Sequence, residues 1–171
     1  MVVCPVPVMK LLLLRHAIAV PSGTPDVADD DRTLTARGRK RFRKAAQGLA
    51  RIVGTPDAVL SSPLPRALET AEIAALAWGE VEVTHEALLA GGRPEELLSS
   101  LGRLEEDAVV ALVGHEPDIS RLLAHLIGAS GERLPFKKGG AALVAMDNPS
   151  PGSGRLIWFL PPRLLRKLGG D

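Results

Sequence analysis

Residues 10–17 read KLLLLRHA. Four consecutive leucines follow neither a helical nor an alternating period. They read as a strand buried on both faces, the pattern of a parallel strand covered by helices on either side. The run delivers Arg15 and His16 at its carboxyl end. Ligands of open α/β sheets bind beyond the carboxyl ends of the strands, so chemistry is expected there. Two later segments end the same way. Residues 57–60 form a short strand, followed by Ser61-Ser62 and then Arg66. Residues 109–113 form a third apolar strand that runs directly into Gly114-His115.

Between these strands the sequence alternates. Residues 18–33 carry Pro21, Gly23, Pro25 and the acidic run Asp29, Asp30, Asp31, and they are expected to be a solvated loop. Residues 34–52 read as a helix: Thr35 suits its N-cap, and Phe42, Ala45, Ala46, Leu49 and Ile52 share one face. The opposite face is basic, and a solvated face is the expected reading. Pro63 and Pro65 lead into a second helix, with Ser62 as its cap and Ala67, Leu68, Ala71 and Ala75 as a small-residue packing face. Residues 80–84 alternate and suit a strand near the sheet edge. A loop over 88–93 precedes a short helix from Pro94 to about Leu104. After His115, Pro117 opens a helix with Ile119, Leu122, Leu123, Leu126 and Ile127 on one stripe, ended by Gly128. Residues 140–146 and 155–160 are two strands joined by the turn-forming NPSPGSG, a hairpin at the sheet edge. Pro161-Pro162 closes the fold, and RLLRKL is a short tail. The fold class expected is a three-layer α/β/α sandwich with a mostly parallel central sheet and a C-terminal β-hairpin at its edge.

Bulk properties bound the function. The 171 residues suit one domain, expected over 9–171, with residues 1–8 as an N-terminal extension. Aromatic residues are 3% of the chain and the net charge is +1, so neither base stacking nor a polyanion partner is indicated. The single cysteine, Cys4, allows no internal disulfide and fits a reducing cytoplasm. No apolar run approaches the roughly 18 residues of a membrane span.

If the three strands are parallel neighbours, two histidines and two arginines converge over one edge, with helix N-termini facing them. Two guanidiniums and helix amides suit a dianion, and phosphate is the natural candidate. A neutral imidazole there can attack phosphorus and hold the phosphoryl group covalently. The arginines would balance charge on the equatorial oxygens in the transition state and disfavour protonation of the imidazole. A zinc site from His16, His115 and Asp118 is conceivable on residue types, but adjacent arginines oppose a cation. Ser61 and Ser62 lack a nucleophile elbow, and no Gly-rich nucleotide loop is present. His85 and His125 are expected at the surface.

The runs LLLLRHA, SSPLPRALETAEI and VVALVGHEPDIS, in this order and spacing, resemble the histidine phosphatase (phosphoglycerate mutase-like) superfamily over roughly residues 10–160. The short length resembles the SixA type of phosphohistidine phosphatase, which lacks large helical insertions. The resemblance implies that His16 is the phosphorylated nucleophile, that Arg15 and Arg66 clamp the phosphoryl group, and that His115 stands beside it. DDDRTLTARG resembles the type's Arg-Pro-Leu-Thr motif, which makes Arg32 a further phosphate contact, with Thr33 in place of the proline. FKKGGAALV resembles the stretch before the first hairpin strand and brings Lys138 towards the pocket.

Mutase-like relatives use a glutamate after the edge strand as proton donor. Glu86 stands in about that place, but its surroundings match poorly. A leaving imidazole, with a reference pKa of about 6.5, needs less protonation than an alkoxide. The expected function is therefore a cofactor-independent, metal-independent phosphatase acting on phosphohistidine in proteins, such as phosphorelay domains. The alternatives are a phosphatase for small phosphate monoesters or sugar phosphates, and a low-turnover phosphate-binding regulatory module. No nucleic-acid or membrane partner is expected, the location expected is cytoplasmic, and the assembly expected is a monomer or weak dimer.

Overall fold

In the computed structural model, which describes residues 8–102, 104–130, 134–148 and 150–170, the leucine run is the middle of the sheet. The six strands are β1 (Met9–Arg15), β2 (Ala58–Ser61), β3 (Val83–His85), β4 (Val109–Gly114), β5 (Ala141–Met146) and β6 (Arg155–Leu160). Their order is β3-β2-β4-β1-β5-β6. The first four pair in parallel; β5 runs antiparallel to β1, and β6 antiparallel to β5. Period-two geometry sends Leu12 and Leu14 to one face and Leu11 and Leu13 to the other, and all four are fully buried. Each would cost about 2–5 kcal/mol on truncation to alanine.

The helices are α1 (Ala36–Val53), α2 (Pro65–Ala77), α3 (Pro94–Leu101), α4 (Asp118–Ile127) and α5 (Pro162–Leu168). One core joins the Leu12 face to Phe42, Ala45 and Leu49 of α1, the alanines of α2 and Leu165 of α5. The other joins the Leu11 face to α3 and to the stripe of α4. The expected three-layer α/β/α sandwich with its edge hairpin is the architecture observed. Thr35 caps α1, its hydroxyl accepting the Gly38 N–H at 2.9 Å. Among the described residues no helix is long and apolar enough to cross a membrane.

Three local expectations need correction. The segment RLLRKL is a helix, α5, rather than a tail. It lies so close to α1 that a Cβ on Gly48 would stand 2.0 Å from the Leu165 carbonyl oxygen, and one on Gly169 would stand 2.0 Å from that of Lys44. The glycines permit backbone contact that buries Leu165. Ser62 is not the N-cap of α2, which is Leu64; its hydroxyl accepts the Leu64 N–H two residues on. His125 is half-buried rather than exposed at the surface. Its side chain is 19% exposed and its Nδ1 lies 3.5 Å from Glu95 of α3, which packs across that flank of α4. His85 is exposed, as expected. The loop over 18–33 is irregular apart from one 3-10 turn at Asp29–Asp31 and a bridge between Ala19 and Leu34. Of the expected N-terminal extension, residues 1–7 lie outside the described residues.

Candidate active site

Strand register assembles the site. Arg15 at the end of β1 is opposite Gly114 of β4, and Ser61 of β2 is opposite Val113. The residues that follow these strand ends therefore emerge together: His16, Ser62 and His115. The two imidazole rings are 5.2 Å apart between centroids. Arg66 enters from the first turn of α2. His16, Arg66 and His115 are 5%, 5% and 7% exposed, so the charged edge of the sheet is nearly dry.

The His16 ring has a defined orientation. Its Nδ1 lies 2.7 Å from the carbonyl oxygen of Ala17, an acceptor only, so Nδ1 carries the proton and donates it there. Nε2 keeps its lone pair. The segment holding the ring is itself fixed. The Thr70 hydroxyl, from α2, accepts the Ala17 N–H at 3.0 Å and donates to the Arg66 carbonyl at 2.6 Å. The Gly139 N–H donates to the Arg15 and His16 carbonyls. His115 is oriented by Ser62, whose hydroxyl lies 2.7 Å from Nε2. A serine that donates to Nε2 leaves Nδ1–H as a free donor, and that nitrogen has no protein partner.

Burial, the dominant cause, pushes the His16 imidazole down to about 3; the bond to Ala17 opposes this, and His115, Arg66 and Arg15 reinforce it. His115 is pushed down to about 4, first by burial and then by Arg66, Arg32 and Arg15. Both rings are neutral near pH 7, and the positive charge belongs to the arginines.

Each arginine is tethered but keeps donors free. Arg15 gives Nη1 to the Phe136 carbonyl at 2.5 Å, while its buried Nε has no protein partner. Glu116 stands behind this wall, accepting from the Phe136 N–H at 2.6 Å and the Ser120 hydroxyl at 2.7 Å. Arg66 donates to the Asp29 carbonyl at 2.7 Å, and its Nε is likewise unpartnered and buried. Arg32 is largely buried, 11% exposed, and contacts Asp29 at 2.9 Å. Asp29 thus spans two arginines from neighbouring elements, with Arg66 Nη2 at 3.6 Å. Its carboxyl is held below the usual range by the Ser22 hydroxyl and Arg32. The acidic run is therefore not simply a solvated loop: its first member organises the cations.

Arg15, His16, Arg66, His115 and Arg32 come together as the sequence reading expected. Lys138 reaches their vicinity, since burial and the charges of Arg15 and Arg32 lower its pKa. Glu86 does not join them as a free acid. Its carboxylate accepts the Leu88 N–H at 3.0 Å, capping a 3-10 turn. Among the described residues no three His, Cys, Asp or Glu side chains cluster as metal ligands. Sequence reasoning missed Asp29, Ser62 as the partner of His115, and Thr70. Serine and threonine hydroxyls carry no signal of such roles until the fold sets their distances. An array of buried N–H donors around one neutral, oriented imidazole binds a tetrahedral oxyanion and presents a nucleophile to it.

Residues 11–91 match the histidine phosphatase superfamily (branch 1). A protein of Picosynechococcus sp. is 38% identical over 137 residues, covering 77% of this chain and 82% of that protein. A crystal structure from Agrobacterium tumefaciens, provisionally designated a phosphohistidine phosphatase SixA, superposes with a TM-score of 0.73 at 30% identity, over 90% of this chain and 98% of the other. The protein histidine phosphatase SixA complexed with tungstate superposes with a TM-score of 0.80 at 25% identity, over 92% and 99%.

Proposed function

Because the chain belongs to the histidine phosphatase superfamily, in its SixA type, and is a phosphatase, we propose that it dephosphorylates phosphohistidine in proteins through a covalent intermediate on His16. The lone pair of His16 Nε2 attacks phosphorus in line with the substrate P–N bond. That bond breaks, and its electron pair goes to the leaving imidazole. Arg15, Arg66 and the His115 Nδ1–H hold the equatorial oxygens, and Arg32 adds a third guanidinium. Their donors are fixed before the substrate arrives, so little reorganisation is needed as charge spreads in the transition state. Water then attacks phospho-His16. The P–Nε2 bond breaks, the pair returns to Nε2, and the proton of the water leaves with phosphate or solvent.

The observation that carries the substrate assignment is the condition of the carboxylates. Glu86 caps a turn, Glu116 is bonded to Phe136 and Ser120, and Asp29 is held between two arginines. None is free to protonate a leaving alkoxide. A phosphohistidine does not require it, because its leaving ring carries the needed proton on the distal nitrogen, which solvent can supply.

The test compares phosphate release from a phosphohistidine-bearing protein and from an alkyl phosphate, for wild type and His16→Ala. Acid-quenched samples are examined for phosphoenzyme. Turnover of phosphohistidine alone, lost in the variant with its phosphoenzyme, is the expected result. Faster turnover of the alkyl ester overturns the substrate assignment. Activity that survives in His16→Ala overturns the nucleophile. Phosphate binding without turnover of either substrate makes the chain a binding module.

A further inference from the structure

Beside the catalytic edge lies a second concave surface, a pocket of about 280 Å³ between α1, α5 and the 137–139 turn. Its floor is apolar: Phe42 and Ala45 of α1 and the Pro161–Pro162 pair. Its rim is cationic: Arg41, Lys137, Lys138, Arg163 and Arg166. No acidic residue lines it, and among the described residues none of the five cations forms an ion pair. Arg41 and Arg163 stand close enough to Arg166 that, after burial, their charges lower its pKa. A net charge of +1 for the whole chain makes such a cluster a local choice and not a reflection of overall basicity. The pocket adjoins the active site. Ala17, next to His16, forms part of its wall, and so does Gly139, whose N–H bonds the carbonyls of Arg15 and His16.

We propose that this pocket docks an acidic segment of the phosphorylated protein substrate, one apolar side chain filling the floor while carboxylates pair with the rim. The proposal rests on the phosphohistidine-protein reading and extends it to recognition of the partner. The catalytic edge contacts only the phosphoryl group, which is the same in every phosphohistidine, so selection among proteins must come from an adjoining surface. An apolar floor within a ring of unpaired cations fits an amphipathic acidic protein surface better than a nucleic acid, whose bases would need aromatic stacking partners beyond the lone Phe42. Such pairs are rim-exposed, so they act mainly on encounter and on salt dependence.

The test uses Arg41→Glu/Arg163→Glu, two residues outside the catalytic set. Reversal removes repulsion with Arg166, so the variant is expected to melt at or above the wild-type temperature; Arg163→Gln serves as a milder second variant. Three substrates are compared: phosphoramidate, a phosphohistidine peptide with glutamates around one leucine, and the same peptide with glutamine for glutamate. The expected result is unchanged phosphoramidate turnover and a loss of about tenfold in kcat/KM for the acidic peptide alone, with its salt dependence flattened. Equal losses on all three substrates, or none on the acidic peptide, overturn the proposal. Binding of the unphosphorylated acidic peptide, followed by calorimetry, separates the two readings. If no phosphohistidine substrate is turned over but this peptide still binds wild type and not the variant, the docking site stands and the substrate assignment falls. An oligothymidylate that displaces the peptide at equal concentration makes the surface a general polyanion site and overturns the proposal.

Discussion

Acidification should unfold this protein through its two active-site histidines well before its carboxylates titrate. In the folded state His16 is held at about 3 and His115 at about 4. In the unfolded chain both return to about 6.5. A folded-state pKa below the unfolded one means that, as pH falls, the unfolded state takes up protons that the folded state refuses. The stability is full above pH 6.5 and is lost as pH falls towards the folded values. Between pH 6.5 and 5 each histidine contributes a loss of about 1.6 kcal/mol, or about 3 kcal/mol for the pair. That is a large part of the roughly 5–15 kcal/mol by which domains are stable.

The measurement is urea unfolding at a series of pH values from 7.5 to about 5, for wild type, His16→Asn and His115→Asn. Each single variant should lose about half of the slope below pH 6.5, because asparagine cannot take up the proton in either state. In the folded protein His16 stays neutral throughout this range, as the proposed nucleophilic role requires. Inorganic phosphate should raise stability at fixed pH by binding the folded state only. If the two variants keep the wild-type slope, the histidines titrate normally in the folded protein. The dry, cationic pocket that is argued to keep them neutral would then be refuted.

Two further outcomes test the supports of the site. Ser62→Ala removes the hydroxyl 2.7 Å from His115 Nε2; a lost buried hydrogen bond of about 1.4 kcal/mol should lower kcat about tenfold, with Ser62→Thr restoring most of it. Wild-type kcat in the alanine variant would mean that Ser62 does not orient His115. Gly48→Ala places a Cβ 2.0 Å from the Leu165 carbonyl oxygen, so α5 must move and partly expose Leu165. Urea unfolding should show a loss of about 2–4 kcal/mol, with phosphoramidate turnover retained by the folded fraction, since no catalytic residue lies on α5.

What could be read from the sequence is what depends on strand order alone. A run such as Leu11–Leu14 must be central and two-faced, and a parallel sheet then carries whatever follows each strand to the same edge. Arg15, His16, Ser62 and His115 are fixed by that rule before any side-chain contact is known. Arg66 follows because α2 begins there. Other features depend on distances between segments far apart in the chain. Asp29 sits in a stretch dense with proline and glycine, and its acidic neighbours suggested solvent; only the fold brings it to Arg66, thirty-seven residues on. Likewise α5 has too few residues to show a period, and what makes it a helix is the bare backbone at Gly48 and Gly169 that lets Leu165 reach the core. The periodicity of α4 places His125 off the apolar stripe, and only the fold sets Glu95 of α3 against it.

The same distinction bears on Glu86. Its position after β3 could be inferred from strand order, but its role depends on whether anything nearby claims its oxygens. Leu88 does, through a cap that no alternation or periodicity announces. The consequence is chemical as well as structural. A carboxylate that caps a turn is held against the backbone N–H it accepts. In the function proposed above, that cap withholds the glutamate after the edge strand from the role of general acid. Under that proposal, substrates whose leaving group brings its own proton are favoured without any contact dedicated to selecting them.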